Sequence, residues 1–368
     1  MKTPTIRRAV LPGVAALALA LTGCAASNEG GSDETGGVEA GTLSGQYTVG
    51  GASSQEAAQL AWTTGFADVQ PDVTMTYEPI GSGGGRENFI AGGYMLAGSD
   101  SYLKDDEGEL TDATERCGGE APIQVPSYIS PIAVAYNLPG VDELRLSPQA
   151  LAGIMAGKIT TWDDKAIAGD NPDVDLPAER INTVHRSDES GTTENFTDYL
   201  TTVAPDAWDA GVVETWPTEY GGEGAKGTSG VVQTVENSEF SIGYADASQT
   251  GELGQAMIGV GDEFVSPSAD AAAKILEASP EAENASDTAV IYDLDFATEE
   301  SGTYPVVLTS YLMACQSYDD AADGELVKAF MEYVISDQGQ GQAAAEAGSA
   351  PLSQTVQLKS LSIIENIG

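Results

Sequence analysis

Short stretches of alternating apolar and polar residues give way, again and again along this chain, to runs with fourfold spacing. Residues 73–77 (VTMTY) alternate strictly, as a strand with one buried face does. Residues 132–136 (IAVAY) are apolar throughout, the pattern of a strand covered on both faces. Residues 47–49 and 181–184 are further strand-like runs. Helical spacing is predicted over 54–67, 84–91, 147–156, 192–203 and 324–336. In the first, Ala58, Trp62 and Phe66 recur every four residues; in the last, Leu326, Val327, Phe330, Met331, Val334 and Ile335 share one face. Such alternation argues for an α/β fold with mainly parallel sheets covered by helices. Segments 137–180 and 204–227, richer in Pro, Gly and Asp, read as longer surface excursions. No internal repeat is visible.

Three strand-to-helix turns carry the candidate chemistry. The first follows the strand-like run 181–184 and reads His185-Arg186-Ser187-Asp188-Glu189-Ser190-Gly191-Thr192-Thr193. A helix N-terminus leaves N–H groups unpaired and carries partial positive charge, so it suits a phosphate-like oxyanion. Gly191 lets the backbone approach a ligand, Ser190 and Thr192 add hydroxyls, and Arg186 adds a fork of N–H groups matched to tetrahedral oxygens. The plainer reading is a capped helix, with Asp188 or Ser190 as N-cap and Arg186 in a surface ion pair. The second turn runs from Tyr47 to Glu56, with Ser53 and Glu56 at the spacing of a capping box. The third is Ile80-Gly81-Ser82-Gly83-Gly84-Gly85-Arg86. None is a P-loop, since no Gly-Lys-Ser/Thr follows. In an open α/β sheet, ligands sit at the carboxyl ends of the strands, where these turns lie.

The start of the chain predicts an address. Lys2, Arg7 and Arg8 precede an apolar run over 9–21, too short for a stable bilayer span but suited to a signal peptide. It ends in Leu21-Thr22-Gly23-Cys24, which resembles a bacterial lipobox. Residues 1–23 then read as a lipoprotein signal peptide and Cys24 as the acylated, palmitate-bearing residue. Residues 24–44 read as a flexible acidic tether. The expected place is the cell membrane, lipid-anchored on the extracytoplasmic face.

Charge and cysteines narrow the partners. With 15 Lys and Arg against 57 Asp and Glu, the net charge of −42 argues against nucleic acid and anionic lipid. The single histidine, His185, has no second ligand at metal spacing, so no metal site is expected. Cys117 and Cys315 are the pair left after Cys24; an exported pair can form a disulfide, but sequence does not show that the two meet. The body is long enough for two domains.

With these turns in view, the chain resembles the phosphate-binding protein of the bacterial high-affinity phosphate ABC transporter. The resemblance runs from about Leu43 to Gly368. Its most specific stretches are Gly157-Lys158-Ile159-Thr160-Thr161-Trp162-Asp163-Asp164, Asn171-Pro172 and 184–192, with Gly221-Gly222-Glu223-Gly224, Ile242-Gly243-Tyr244 and Val265-Ser266-Pro267. It implies a periplasmic-binding-protein-like fold, two α/β lobes with a ligand cleft between them. Lobe 1 would take 45–136 and 305–368, and lobe 2 137–304. The chain would cross at Ala135-Tyr136-Asn137 and return near Tyr304-Pro305. Both cysteines then share lobe 1, which makes their disulfide feasible. The implied function is binding of inorganic phosphate and its delivery to the permease subunits, by a monomer, without cofactor and without catalysis.

The resemblance also places ligands. Gly51-Ala52-Ser53 matches the family's first turn, so Ser53 would supply a hydroxyl and Ser54 a backbone N–H, although the family often has Thr-Phe where Ser53-Ser54 stands here. Gly81-Ser82-Gly83-Gly84 makes Ser82 a ligand. Ser99-Asp100 makes Asp100 the acceptor. Arg186, Ser190, Gly191 and Thr192 would bind phosphate, and Asp188 would orient Arg186. An ionised Asp100 can accept the proton that phosphate keeps near neutral pH. Against sulfate it would face oxygens with no proton between, so it would reject that ion. Rival readings are a binding protein for another oxyanion and an exported phosphoester hydrolase using His185. The sequence has no Gly-x-Ser-x-Gly elbow and no second histidine for the latter.

Overall fold

The computed structural model describes residues 41–368. The expected signal peptide, Cys24 and the tether up to residue 40 lie outside the described residues. Just beyond them the chain is already tied down. Gly41 N–H donates to Val69 O at 2.9 Å, and the N–H groups of Thr42 and Leu43 donate to Gln70 Oε1 at 3.0 Å.

The chain begins as β1 (Ser44–Gly51), α1 (Glu56–Val69), β2 (Asp72–Glu78), α2 (Ser82–Ile90), β3 (Leu96–Ser99) and α3 (Glu109–Arg116). The long β4 (Ile123–Asn137) leads to β5 (Arg145–Leu146), α4 (Pro148–Met155) and α5 (Lys165–Asp170). Then come β6 (Asn182–Arg186), α6 (Gly191–Val203), β7 (Glu223–Ala225), α7 (Gly227–Glu236) and β8 (Ser241–Asp246). After β9 (Gly254–Gln255), β10 (Met257–Val260), β11 (Glu263–Val265) and α8 (Ala269–Ala278) the chain returns as β12 (Val307–Ala314). It closes with α9 (Ala321–Ile335), α10 (Asp337–Ala347) and α11 (Gln354–Ile364).

One sheet runs in the order β2-β1-β3-β12-β4-β8-β6-β7, with β9 beside β4; a small one holds β11-β10-β5. β1 pairs in parallel with β2 and β3, and β6 with β8 and β7. β4 and β12 carry the chain out of the first half and back into it, so they run antiparallel to each other, β12 against β3 and β4 against β8. The sheet is therefore mixed, where the alternation of elements predicts a mainly parallel one. β4 belongs to both halves: residues 123–131 pair with β12 and residues 132–137 with β8.

Segments 137–180 and 204–227 are not the surface excursions that their composition predicts. They contain β5, α4, α5 and β7, and they bury Leu146, Leu151, Ile154, Trp162, Trp208 and Trp216. Trp162, Trp208 and Trp216 stand isolated among polar and small residues and give no periodic signal, yet each covers much apolar area.

Packing fixes the turns that face the cleft. On α1, Ala58, Trp62 and Phe66 are buried, and the Phe66 ring meets Phe330 and Tyr333 at 5.3 and 5.6 Å. Trp62 Nε1 donates to Gly339 O at 2.9 Å. Removing such a ring costs about 3–5 kcal/mol, so the start of α1 is held against α9 and α10. Cys117 and Cys315 form a disulfide with Cα atoms 5.3 Å apart, joining the end of α3 to the end of β12 in a cluster with Phe89 and Met313.

Candidate functional site

Three helix N-termini and one tight turn converge between the two halves of the sheet. From the first half come Ser53 and Ser54 in a single 3-10 turn after β1, Ser82 opening α2, and Asp100 after β3. From the second come Arg186 ending β6, Ser190 to Thr192 opening α6, and the start of α7. Ser53, Ser54, Ser82, Asp100, Arg186, Ser190 and Thr192 are all no more than 3% exposed.

Asp100 is the hub. Ser54 Oγ donates to its two carboxylate oxygens at 2.8 and 2.6 Å, Thr192 Oγ1 to Oδ2 at 2.8 Å, and Ser310 Oγ to Oδ1 at 2.6 Å. Its own N–H donates to Ser82 Oγ at 3.1 Å. Asn195 Nδ2 holds its carbonyl at 2.8 Å. Burial pushes the Asp100 carboxyl up; the hydroxyls of Ser310, Ser54 and Thr192 and the charge of Arg186 oppose this without cancelling it.

Arg186 is buried, not in the surface ion pair of the plainer reading. Its Nε and Nη2 donate to Asp188 Oδ1 and Oδ2 at 2.8 and 2.5 Å, a planar two-point clamp. Asp188 Oδ1 also accepts the Gly227 N–H at 3.1 Å. Burial alone would raise the Asp188 carboxyl, but the hydrogen bond and charge of Arg186 hold it below the ordinary range. Gly81 has φ +101, and a Cβ there would lie 2.6 Å from Asp188 Oδ2, so glycine lets α2 approach the clamp. Ser190 is the N-cap of α6, its Oγ accepting from Thr193 N–H at 3.2 Å. The N–H groups of Gly191 and Thr192 lie in the first turn, where helix geometry gives them no intrahelical partner.

Ser53 and Glu56 do not form the capping box their spacing predicts. Ser53 Oγ is turned away, accepting the Thr228 N–H at 3.0 Å and lying 3.1 Å from Thr228 Oγ1. Gln249 Nε2 donates to the carbonyls of Ser53 and Ser54 at 2.9 and 3.0 Å. Thr228, Gln249 and Ser310 touch the candidate site residues Ser53, Ser54 and Asp100 and are positions that sequence reasoning missed. Lys226-Gly227-Thr228 is a fourth turn of the same kind, and the Gly-Thr step before an apolar run was its readable signal. Ser310 lies inside a strand and had none.

His185 is a packing residue. Its ring stacks on Trp216 at 4.9 Å and 11°, and Nδ1 donates to Arg186 O at 2.8 Å. Burial lowers its pKa, against the pull of that carbonyl. Tyr244 continues the stack onto Phe196 at 4.4 Å, accepts Arg186 N–H at 3.3 Å and bonds Thr193 Oγ1 at 2.7 Å. The imidazole thus meets Arg186 through its backbone carbonyl alone.

A charged rim lies outside this centre. Arg86 on α2, 3% exposed, meets Glu109 at 2.9 Å, Glu189 at 3.1 Å and Glu214 at 2.6 Å, and Lys104 pairs with Glu194. Glu189, Glu194 and Glu214 belong to the second half, so these pairs span the cleft. Burial alone would lower the Arg86 pKa, but Glu214 and Glu109 raise it well above its ordinary value.

Strand-to-helix turns from two facing α/β halves, converging on one buried polar centre, define a binding protein of the periplasmic type, and a PBP superfamily domain matches residues 36–338. Phosphate-binding protein PstS2 of Mycobacterium bovis is 32% identical over 356 residues, covering 94% of both chains. Phosphate-binding protein PstS 3 of Mycobacterium tuberculosis is 35% identical over 297 residues, covering 80% of this chain and 78% of its own. The chain belongs to this family of phosphate-binding proteins. Its fold is shared with a high affinity periplasmic phosphate-binding protein (PfluDING) solved bound with phosphate. That match has a TM-score of 0.68 at 23% identity, over 85% of this chain and 92% of that one.

Proposed function

We propose that this protein captures inorganic phosphate outside the cytoplasm and delivers it to the permease of an ABC importer. One observation carries the reading. A buried carboxylate, Asp100, sits among hydroxyl donors, helix N-termini and the clamped Arg186. Donors alone would suit any oxyanion. A central acceptor suits one that keeps a proton, as phosphate does and sulfate does not. Ser53, Ser54, Ser82, Asp100, Arg186, Ser190, Gly191 and Thr192 are the proposed contacts, with Asp188 orienting Arg186. The same reading takes lobe 1 as 45–136 and 305–368 and lobe 2 as 137–304; the change of partners along β4 supports two lobes joined through that strand, but it falls between residues 131 and 132, five residues before that boundary. It also takes the mature chain as a monomer anchored through acylated Cys24, binding its ligand without turning it over. Relatives named as phosphate-binding proteins support binding rather than catalysis.

The test is calorimetric titration of the purified protein with phosphate, arsenate and sulfate. Phosphate and arsenate should bind and compete, because both keep a proton on a tetrahedral anion. Sulfate binding as tightly as phosphate would remove the selective role from Asp100.

A further inference from the structure

The acceptor role of Asp100 depends on the direction of each hydrogen bond around it, and Ser310 lies outside all the strand-to-helix turns. Ser310 Oγ is 2.6 Å from Asp100 Oδ1. Gln55 sets the direction of that bond. Its amide nitrogen is fixed by Tyr311 O, a pure acceptor, at 3.0 Å, and the same Nε2 donates to Ser310 Oγ at 2.7 Å. Gln55 Oε1 in turn accepts from Gln59 Nε2 at 2.7 Å. With its oxygen already taking a donor, the Ser310 hydroxyl turns its own proton to Asp100. Gln55, Gln59 and Ser310 are fully buried. The β12–β4 ladder shifts register between Ser310 and Tyr311, and the skipped Ser127 donates its hydroxyl to Ser310 O at 2.9 Å. Such a bulge re-aims a strand side chain and holds it there.

We infer that Ser310, oriented by Gln55 and Gln59, is a specificity-determining positioning residue that keeps Asp100 a hydrogen-bond acceptor. The inference rests on the phosphate reading of the site. A protonated Asp100 would be a donor. It would accept the ligand's proton only through an uncharged carbonyl oxygen, more weakly than a carboxylate does, and it would welcome a fully deprotonated oxyanion. Burial favours that protonated form, and Ser310 is the largest influence against it, ahead of Ser54, Thr192 and Arg186. Asp246, Tyr77 and Tyr128, the other titratable groups whose fields reach Asp100, supply no positive charge to replace it.

The test is Ser310→Ala with Ser310→Thr as the rescuing variant, each titrated with phosphate and sulfate between about pH 5.5 and 8.5. In Ser310→Ala the Asp100 carboxyl should rise further, so the effect should be largest at the acid end and fade as pH rises. At the acid end, phosphate affinity should fall modestly, as in Asp100→Asn, and sulfate affinity should gain on the order of tenfold, the size of one charge-assisted hydrogen bond. Ser310→Thr, which keeps the hydroxyl, should follow wild type. Gln55→Leu, which frees the Ser310 hydroxyl to rotate, should shift selectivity in the same direction, and it decides the matter if Ser310→Ala does not fold. A phosphate-to-sulfate ratio in Ser310→Ala, or failing that in Gln55→Leu, equal to wild type at every pH overturns the inference and leaves the phosphate reading standing. A wild-type protein that does not bind phosphate overturns that reading instead, and this inference with it.

Discussion

Arg86→Met tests whether the charged rim latches the cleft. The change keeps an unbranched side chain of similar reach and removes the cation that Glu109, Glu189 and Glu214 share. Stripping one partner from a buried ion pair costs about 3–5 kcal/mol. The Glu214 and Glu109 side chains are 19% and 27% exposed, which favours the lower end. Glu189 is 49% exposed and adds little, because solvent screens it. A loss of about 3 kcal/mol in a protein of this size lowers Tm by roughly 4 °C. Glu189 and Glu214 come from across the cleft, so part of the loss falls on closing. If half does, phosphate affinity drops about tenfold. Burial and the shared position beside Glu214 push the Glu189 carboxyl from 4.5 to about 7. The folded state therefore binds a proton that the unfolded chain releases, and stability falls as pH rises through that window and is flat above it. In wild type, Arg86 outweighs burial and holds Glu214 below its ordinary value. Without the cation Glu214 should rise as well, and the fall should steepen. Thermal melts from about pH 4.5 to 8, with and without phosphate, and calorimetry at neutral pH measure all of this. A variant that melts and binds as wild type does would refute the latch.

Other substitutions separate the roles at the centre. Arg186→Ala should cost more affinity than Ser82→Ala, since charge-assisted bonds are roughly twice as strong as neutral ones, and Arg186→Lys should not restore it because the fork is lost; calorimetry finding Ala and wild type equal would remove Arg186 from the site. Asp100→Asn should leave phosphate binding modestly changed while sulfate gains measurable affinity; a variant that rejects sulfate as wild type does would strip Asp100 of its selecting role. Ser replacement of both Cys117 and Cys315 should cost about 2–5 kcal/mol of stability and leave phosphate affinity unchanged, and a thiol assay on the native oxidised protein should find neither cysteine reactive.

What sequence made legible here followed repeated local patterns. Residues 54–67, 84–91, 147–156, 192–203 and 324–336 all lie on or across helices; 54–67 and 324–336 were plainest, because each carries an apolar face at helical spacing. The turns at Ser53, Ser82 and Ser190 were legible because a helix needs a cap and an anion needs its N-terminus, and both demand the same small polar residues. That overlap also misled. Ser53 and Glu56 have cap spacing, yet Ser53 serves α7, a partner 175 positions away that no local pattern encodes. Ser310 was invisible for the same reason, a serine in an apolar strand whose meaning comes from Gln55 and Asp100. Arg86 stood in a recognised turn, but its three glutamate partners are scattered over the chain. The mixed sheet was missed because alternation of elements tells nothing of strand direction.

The strand shared by both halves bears on how the protein can be divided. β4 completes the pairing of β12 at one end and of β8 at the other, so neither half owns it. Any chain that ended within it would leave a bare, apolar strand edge on one side or the other, an invitation to aggregate. Two fragments expressed apart should therefore behave as sticky remnants and not as modules, and a hybrid built from two relatives would have to match their β4 segments residue for residue. Modular as its two-sided shape looks, the body can be inherited or engineered only whole.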